Sequence, residues 1–85
     1  MNSNIETKGN EIFEWFYTNL PPVHTNKQRG ELAKKFSLHM IKEIIEGYEF
    51  DLINAMNTHG DEGDIMLKIN YWDEIETYIA IKEIH

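Results

Sequence analysis

Four histidines (His24, His39, His59, His85) and fifteen carboxylates in eighty-five residues make metal ligation the first chemistry to test. A structural or catalytic zinc site needs clustered Cys and His or two His on one helical turn, and the sequence has no cysteine and no HExxH. The densest stretch is NTHGDEGD, residues 57–64, where His59, Asp61 and Asp64 could hold a cation loosely. It lacks the alternating oxygen ligands and closing glutamate of a calcium loop, so it reads as a solvated turn. No metal and no cofactor is expected.

Nucleophilic catalysis has only Ser3 and Ser37 to draw on, and Ser37 falls inside a helical pattern with no turn to expose its hydroxyl. Glu74 and Glu76, two apart, would share the outer side of a strand in water, without the buried surroundings that acid–base work uses. A chain this short also has little volume for a pocket. Enzyme activity is therefore not expected.

Binding is better provided for. Lys27, Arg29, Lys34 and Lys35 form the one positive cluster, while GDEG puts carboxylates where a phosphate loop needs donors. Trp72, Asp73, Glu74, Glu76 and Tyr78, with Asp61 and Glu62 in the preceding loop, place rings beside carboxylates in the way protein interfaces do. The alternative for Trp72 and Tyr78 is that they fold over the core edge. Trp15 lies off the apolar side of its own helix and is a third unassigned ring.

The elements that must carry these residues follow from periodicity. Residues 1–9 read as a flexible tail. From Asn10, Ile12, Phe13, Phe16, Tyr17 and Leu20 recur on one helical face until Pro21 and Pro22 end it. Thr25 and Gln28 form a capping-box pattern that opens a second helix, whose apolar side gathers Leu32, Phe36, Met40, Ile41, Ile44 and Ile45 before Gly47. Beyond Gly47 the period turns twofold: Tyr48, Phe50 and Leu52, then Ile65, Leu67, Ile69 and Tyr71, then Ile75, Thr77, Ile79 and Ile81. The expectation is one α+β domain over residues 1–85. Two N-terminal helices (10–47) pack on a three-stranded antiparallel β-meander (48–83), with Tyr71 facing Ile75, Ile69 facing Thr77 and Leu67 facing Ile79. The competing assignment makes residues 73–83 a third helix. The expected core is Phe16, Leu32, Phe36, Ile44, Leu67, Ile69 and Ile79.

Charge is unevenly placed along the chain. Residues 1–42 carry six basic and four acidic side chains, and residues 43–85 two basic and eleven acidic, giving +2 and −9 within a total of −7. Such a second half repels phosphate backbones and is drawn to basic grooves. No leader pattern and no long apolar run is present, so a cytoplasmic protein is expected that touches neither membrane nor, directly, nucleic acid.

The segment YTNLPP at residues 17–22, followed by Gln28 and a helix with Lys34 and Lys35, resembles the start of the phage sponge family that sequesters cyclic dinucleotides of bacterial CBASS defence. The resemblance covers about twenty residues. It implies a wholly helical fold, a proline-bounded aromatic (Tyr17) stacking a base, and Lys34 and Lys35 meeting phosphate. From the residues themselves, the leading expectation is a small acidic inhibitor or immunity-type protein filling a basic groove of a nuclease or phage-defence factor. The sponge and a small homo-oligomeric assembly subunit, such as a homodimer, are the alternatives.

Overall fold

The structure, a computed structural model, describes residues 3–21, 25–58, 60 and 62–84. Three helices make it up: α1 (Ser3–Asn19), α2 (Asn26–Thr58) and α3 (Glu62–Ala80). Among the described residues there is no strand, so the α+β meander and its three cross-strand pairs are corrected to an all-helical fold.

α1 starts at Ser3, in the stretch expected to be a loose tail. Its inward stripe is Ile5, Gly9, Ile12 and Phe13, spaced four, three and one apart, with Phe16 half-buried one turn on. Gly9 belongs to that stripe because the Tyr78 ring lies against it: a Cβ there would sit 2.5 Å from Tyr78 Cδ1. Asn10, expected as a cap, is instead mid-helix and accepts a 2.9 Å hydrogen bond from the Tyr78 hydroxyl.

α2 opens with the reciprocal cap that the sequence predicts. The Gln28 amide donates to Thr25 Oγ1 at 3.2 Å, and the Thr25 amide donates to Gln28 Oε1 at 2.9 Å. The helix then runs through Gly47 to Thr58. A Cβ on Gly47 would meet nothing within 4 Å, so this glycine neither turns the chain nor lets a neighbour approach. The end comes one loop later, where the Gly60 amide bonds back to the Ala55 carbonyl at 2.8 Å and Thr58 Oγ1 caps the Asn54 carbonyl at 2.9 Å.

The buried stripe of α2 is Gly30, Ala33, Ser37, Ile41 and Ile45. It sits one residue round from the Leu32, Phe36, Met40, Ile44 series expected to lead the core, and Phe36 is 40% exposed. Small residues on the inward side leave room for close neighbours: a Cβ on Gly30 would stand 2.5 Å from Ile84 Cγ2, in the segment that follows α3. Ser37, the nucleophile candidate on α2, is fully buried and donates to the Ala33 carbonyl at 2.6 Å.

α3 replaces the second and third expected strands. Ile65, Ile69, Trp72, Ile75 and Ile79, spaced four, three, three and four, form its inward side. Ile75 and Ile79 are fully buried, whereas Leu67, assigned to the core by parity, is 69% exposed. The core that results joins Ile5 and Ile12 of α1, Ile41 and Ile45 of α2, and Ile75 and Ile79 of α3.

Length decides the shape. Thirty-three helical residues rise about 50 Å, which matches the 50 Å long axis of the molecule. α1, with seventeen residues, spans about half of that. The first half of α2 is thus in a three-helix bundle. Ile45 still shares the core with Ile5 and Ile12 of α1, and beyond it α2 runs on as an arm beside α3 in which Ala55 is the buried α2 residue.

Candidate functional site

Cations and rings converge at the end of the bundle where α1 finishes, α2 begins and the segment after α3 returns. The Arg29 guanidinium carbon lies 4.7 Å from the Tyr17 ring centroid, and its Nη2 donates a 2.9 Å hydrogen bond to the Tyr17 carbonyl. Tyr17 stacks on Phe13 at 6.1 Å between centroids, and Lys82 Nζ lies 5.0 Å from the Phe13 ring and 5.9 Å from that of Tyr78. Lys34 Nζ donates to the Lys82 carbonyl at 2.9 Å. Arg29, Tyr17, Phe13, Lys82 and Lys34 are thereby one connected set.

Two shallow recesses flank it. One, of about 530 Å³, is lined by Glu31, Lys34, Ile81, Lys82, Glu83 and Ile84. The other, of about 410 Å³, is lined by Gln28, Glu31, Leu32 and Lys35. Residues 25–35 and 81–84 carry five cations (Lys27, Arg29, Lys34, Lys35, Lys82) against two carboxylates (Glu31, Glu83), a net of +3 in a chain of −7. No family model matches the chain, and neither a curated protein nor a solved structure does.

Of the expected ligand-binding residues, Tyr17 is half-buried in this set, Lys34 is engaged by the returning segment, and Lys35 is exposed beside the second recess. Lys82 is the addition, brought to Lys34 by the segment that follows α3. Arg29 stood in the basic cluster, but no spacing signalled that it would cover the Tyr17 ring twelve residues earlier.

Among the described residues, those expected to bind a partner do not form one face. Trp72 is half-buried, meets Tyr71 edge-on at 5.6 Å and packs against the core, and Tyr78 is held between Gly9 and Asn10. Both rings fold over the edge of the core. Glu74 and Glu62 are exposed. Asp73 and Glu76 instead join Glu46 and Glu49 of α2, with Lys42 and Ile45, around a recess of about 530 Å³. Trp15 is outside the core as expected, 62% exposed beside a small apolar recess with Lys8, Phe16 and Met40.

His24, His59, His85 and Asp61 lie outside the described residues. Asp64 forms a 3.2 Å ion pair with Lys68, and His39 lies 3.1 Å from Glu43 with both exposed. Among the described residues no three His, Asp or Glu side chains group as metal ligands, and no helix is long and apolar enough to cross a membrane.

Proposed function

We propose that this chain binds a cyclic nucleotide signal at the basic, aromatic end of the bundle and sequesters it without chemistry. The observation that carries the reading is the placement of Arg29 on the Tyr17 ring and Lys82 on the Phe13 ring, with Lys34 bonded to the Lys82 carbonyl and Lys35 exposed on the same part of α2, in a protein that is otherwise strongly acidic. A cyclic dinucleotide offers two phosphates and two flat bases, and cations set among rings answer both. The resemblance of YTNLPP and its following helix to the sponge family supports the same residues, and that family's helical fold agrees with three helices here.

The arrangement refines the roles. Arg29 already holds one face of Tyr17, so a base either displaces the guanidinium or layers on its far side. Lys34 would act from a position fixed by the Lys82 carbonyl, and the exposed Lys35 would supply the most adjustable phosphate contact. Ser37, buried and bonded to the Ala33 carbonyl, offers the ligand no nucleophile.

The test is a capture experiment. The purified chain is incubated with cyclic GMP–AMP, small molecules are removed by filtration, the protein is heat-denatured, and the supernatant is analysed by mass spectrometry. Intact cyclic GMP–AMP is the expected recovery. A linear product, or no retained nucleotide, contradicts the reading.

The acidic-inhibitor reading loses the ring-and-carboxylate face that suggested it, because Trp72 and Tyr78 turn inward. The negative charge of the second half is untouched by that correction and has a surface of its own on the two-helix arm.

A further inference from the structure

The arm formed by the second half of α2 and the first half of α3 has an acidic recess at its base and exposed apolar side chains beyond it. The recess is lined by Glu46 and Glu49 of α2 and by Asp73 and Glu76 of α3, with Lys42 the cation among its lining residues and no residue of α1. Helical spacing carries the same face outward. Ile53 follows Glu46, and Met56 follows Glu49, by seven residues; Met66 precedes Asp73, and Ile69 precedes Glu76, by seven. Two turns of helix return a side chain to the same side. Ile53, Met56 and Met66 are all exposed, between 46% and 58%.

We propose that this face docks a cationic amphipathic helix of a partner protein. Its apolar stripe would cover Ile53, Met56 and Met66, and its Lys or Arg side chains would enter the recess between Glu49 and Asp73. The charge selects the occupant. Residues 46–74 carry eight carboxylates (Glu46, Glu49, Asp51, Asp61, Glu62, Asp64, Asp73, Glu74) against Lys68, a net of −7. A second copy laid face to face would bring two such surfaces together, which like-charge repulsion opposes. A cationic helix is attracted by the same charges and steered by them. Two of the three exposed anchors are methionine, whose flexible thioether adapts to the side chains of a partner. The arm from residue 46 to 58 accommodates about 20 Å of helix, or about thirteen residues.

The probe is a dye-labelled peptide of about fourteen Leu and Lys residues, arranged with the leucines on one helical face, together with a scrambled peptide of identical composition. Fluorescence anisotropy with the full chain at physiological salt should show the amphipathic peptide binding at least about tenfold more tightly than the scrambled one. Ile53→Ser/Met66→Ser should lose that tenfold advantage, and Glu49→Gln/Asp73→Asn should weaken binding and reduce its salt dependence. Trp15→Ala, outside the face, should change neither. Equal binding of the two peptides, or unchanged binding in the Ile53→Ser/Met66→Ser variant, overturns the proposal. So does a stable dimer, seen by sedimentation, that Ile53→Ser/Met66→Ser dissociates, since a second copy would then be the occupant.

Discussion

Arg29 closes over Tyr17 twice, its guanidinium 4.7 Å from the ring centroid and its Nη2 2.9 Å from the carbonyl oxygen of the same residue. Tyr17 belongs to the last turns of α1 and Arg29 to the first turn of α2. The pair therefore ties the end of α1 to the start of α2, as well as providing a cation at the proposed site.

Replacing Arg29 by alanine removes a ring contact and a charge-assisted hydrogen bond. The expected loss is about 2 kcal/mol of stability. Arg29→Lys should recover part of it, because an ammonium keeps the charge but lacks the planar fork that serves ring and carbonyl together. Urea denaturation of the three proteins checks this, and an unchanged midpoint for Arg29→Ala would show that the pair holds nothing.

Three glycines should respond in opposite directions. Gly47→Ala, in a helix interior with open space around it, should stabilise by about 0.5–1 kcal/mol through helix propensity. Gly9→Ala and Gly30→Ala place a methyl group against Tyr78 and Ile84 and should destabilise by about 1–3 kcal/mol. Gly30→Ala should also loosen the returning segment that carries Lys82. Thermal melting of the three variants gives the order directly, and a stabilised Gly30→Ala would contradict the close approach.

Core truncations should separate by burial rather than by size. Ile41→Ala, at a fully buried site in the core cluster that all three helices share, should cost about 3–4 kcal/mol. Phe36→Ala, at a ring that is 40% exposed and meets Phe16 at 6.0 Å, should cost about 1–2 kcal/mol despite the larger group removed. Equal losses in chemical denaturation would argue against the observed rotation of α2.

Local chemistry was legible in the sequence, and long-range choice was not. The Thr25–Gln28 cap is confirmed because it needs only four consecutive residues, and Trp15 is outside the core because helical spacing excludes it from the α1 stripe. α3 reads as two strands in the sequence because the odd-numbered run from Ile65 to Ile81 contains both an alternating pattern and the helical stripe Ile65, Ile69, Ile75, Ile79. β-branched residues weigh towards strand only weakly. Trp72, Asp73 and Glu74 lack the Asn-Gly or Asp-Gly pair of a short hairpin, which is the sequence signal against the meander. Gly47 misled in the same way, since a helix bearing enough tertiary contact absorbs the cost of one glycine. At the site, Tyr17, Lys34 and Lys35 could be named from sequence, whereas Lys82 enters only because Ile84 packs on Gly30 and brings the chain back.

Isothermal titration calorimetry with cyclic GMP–AMP, on the unmodified chain and on Lys35→Ala and Lys82→Ala, tests nucleotide binding at the basic end most directly. The unmodified chain should bind at micromolar affinity or better, weakening as salt rises. Each lysine variant should lose about tenfold, the worth of one charge-assisted phosphate contact. Absence of heat at about 1 mM ligand, or affinity unchanged in both variants, would contradict the account.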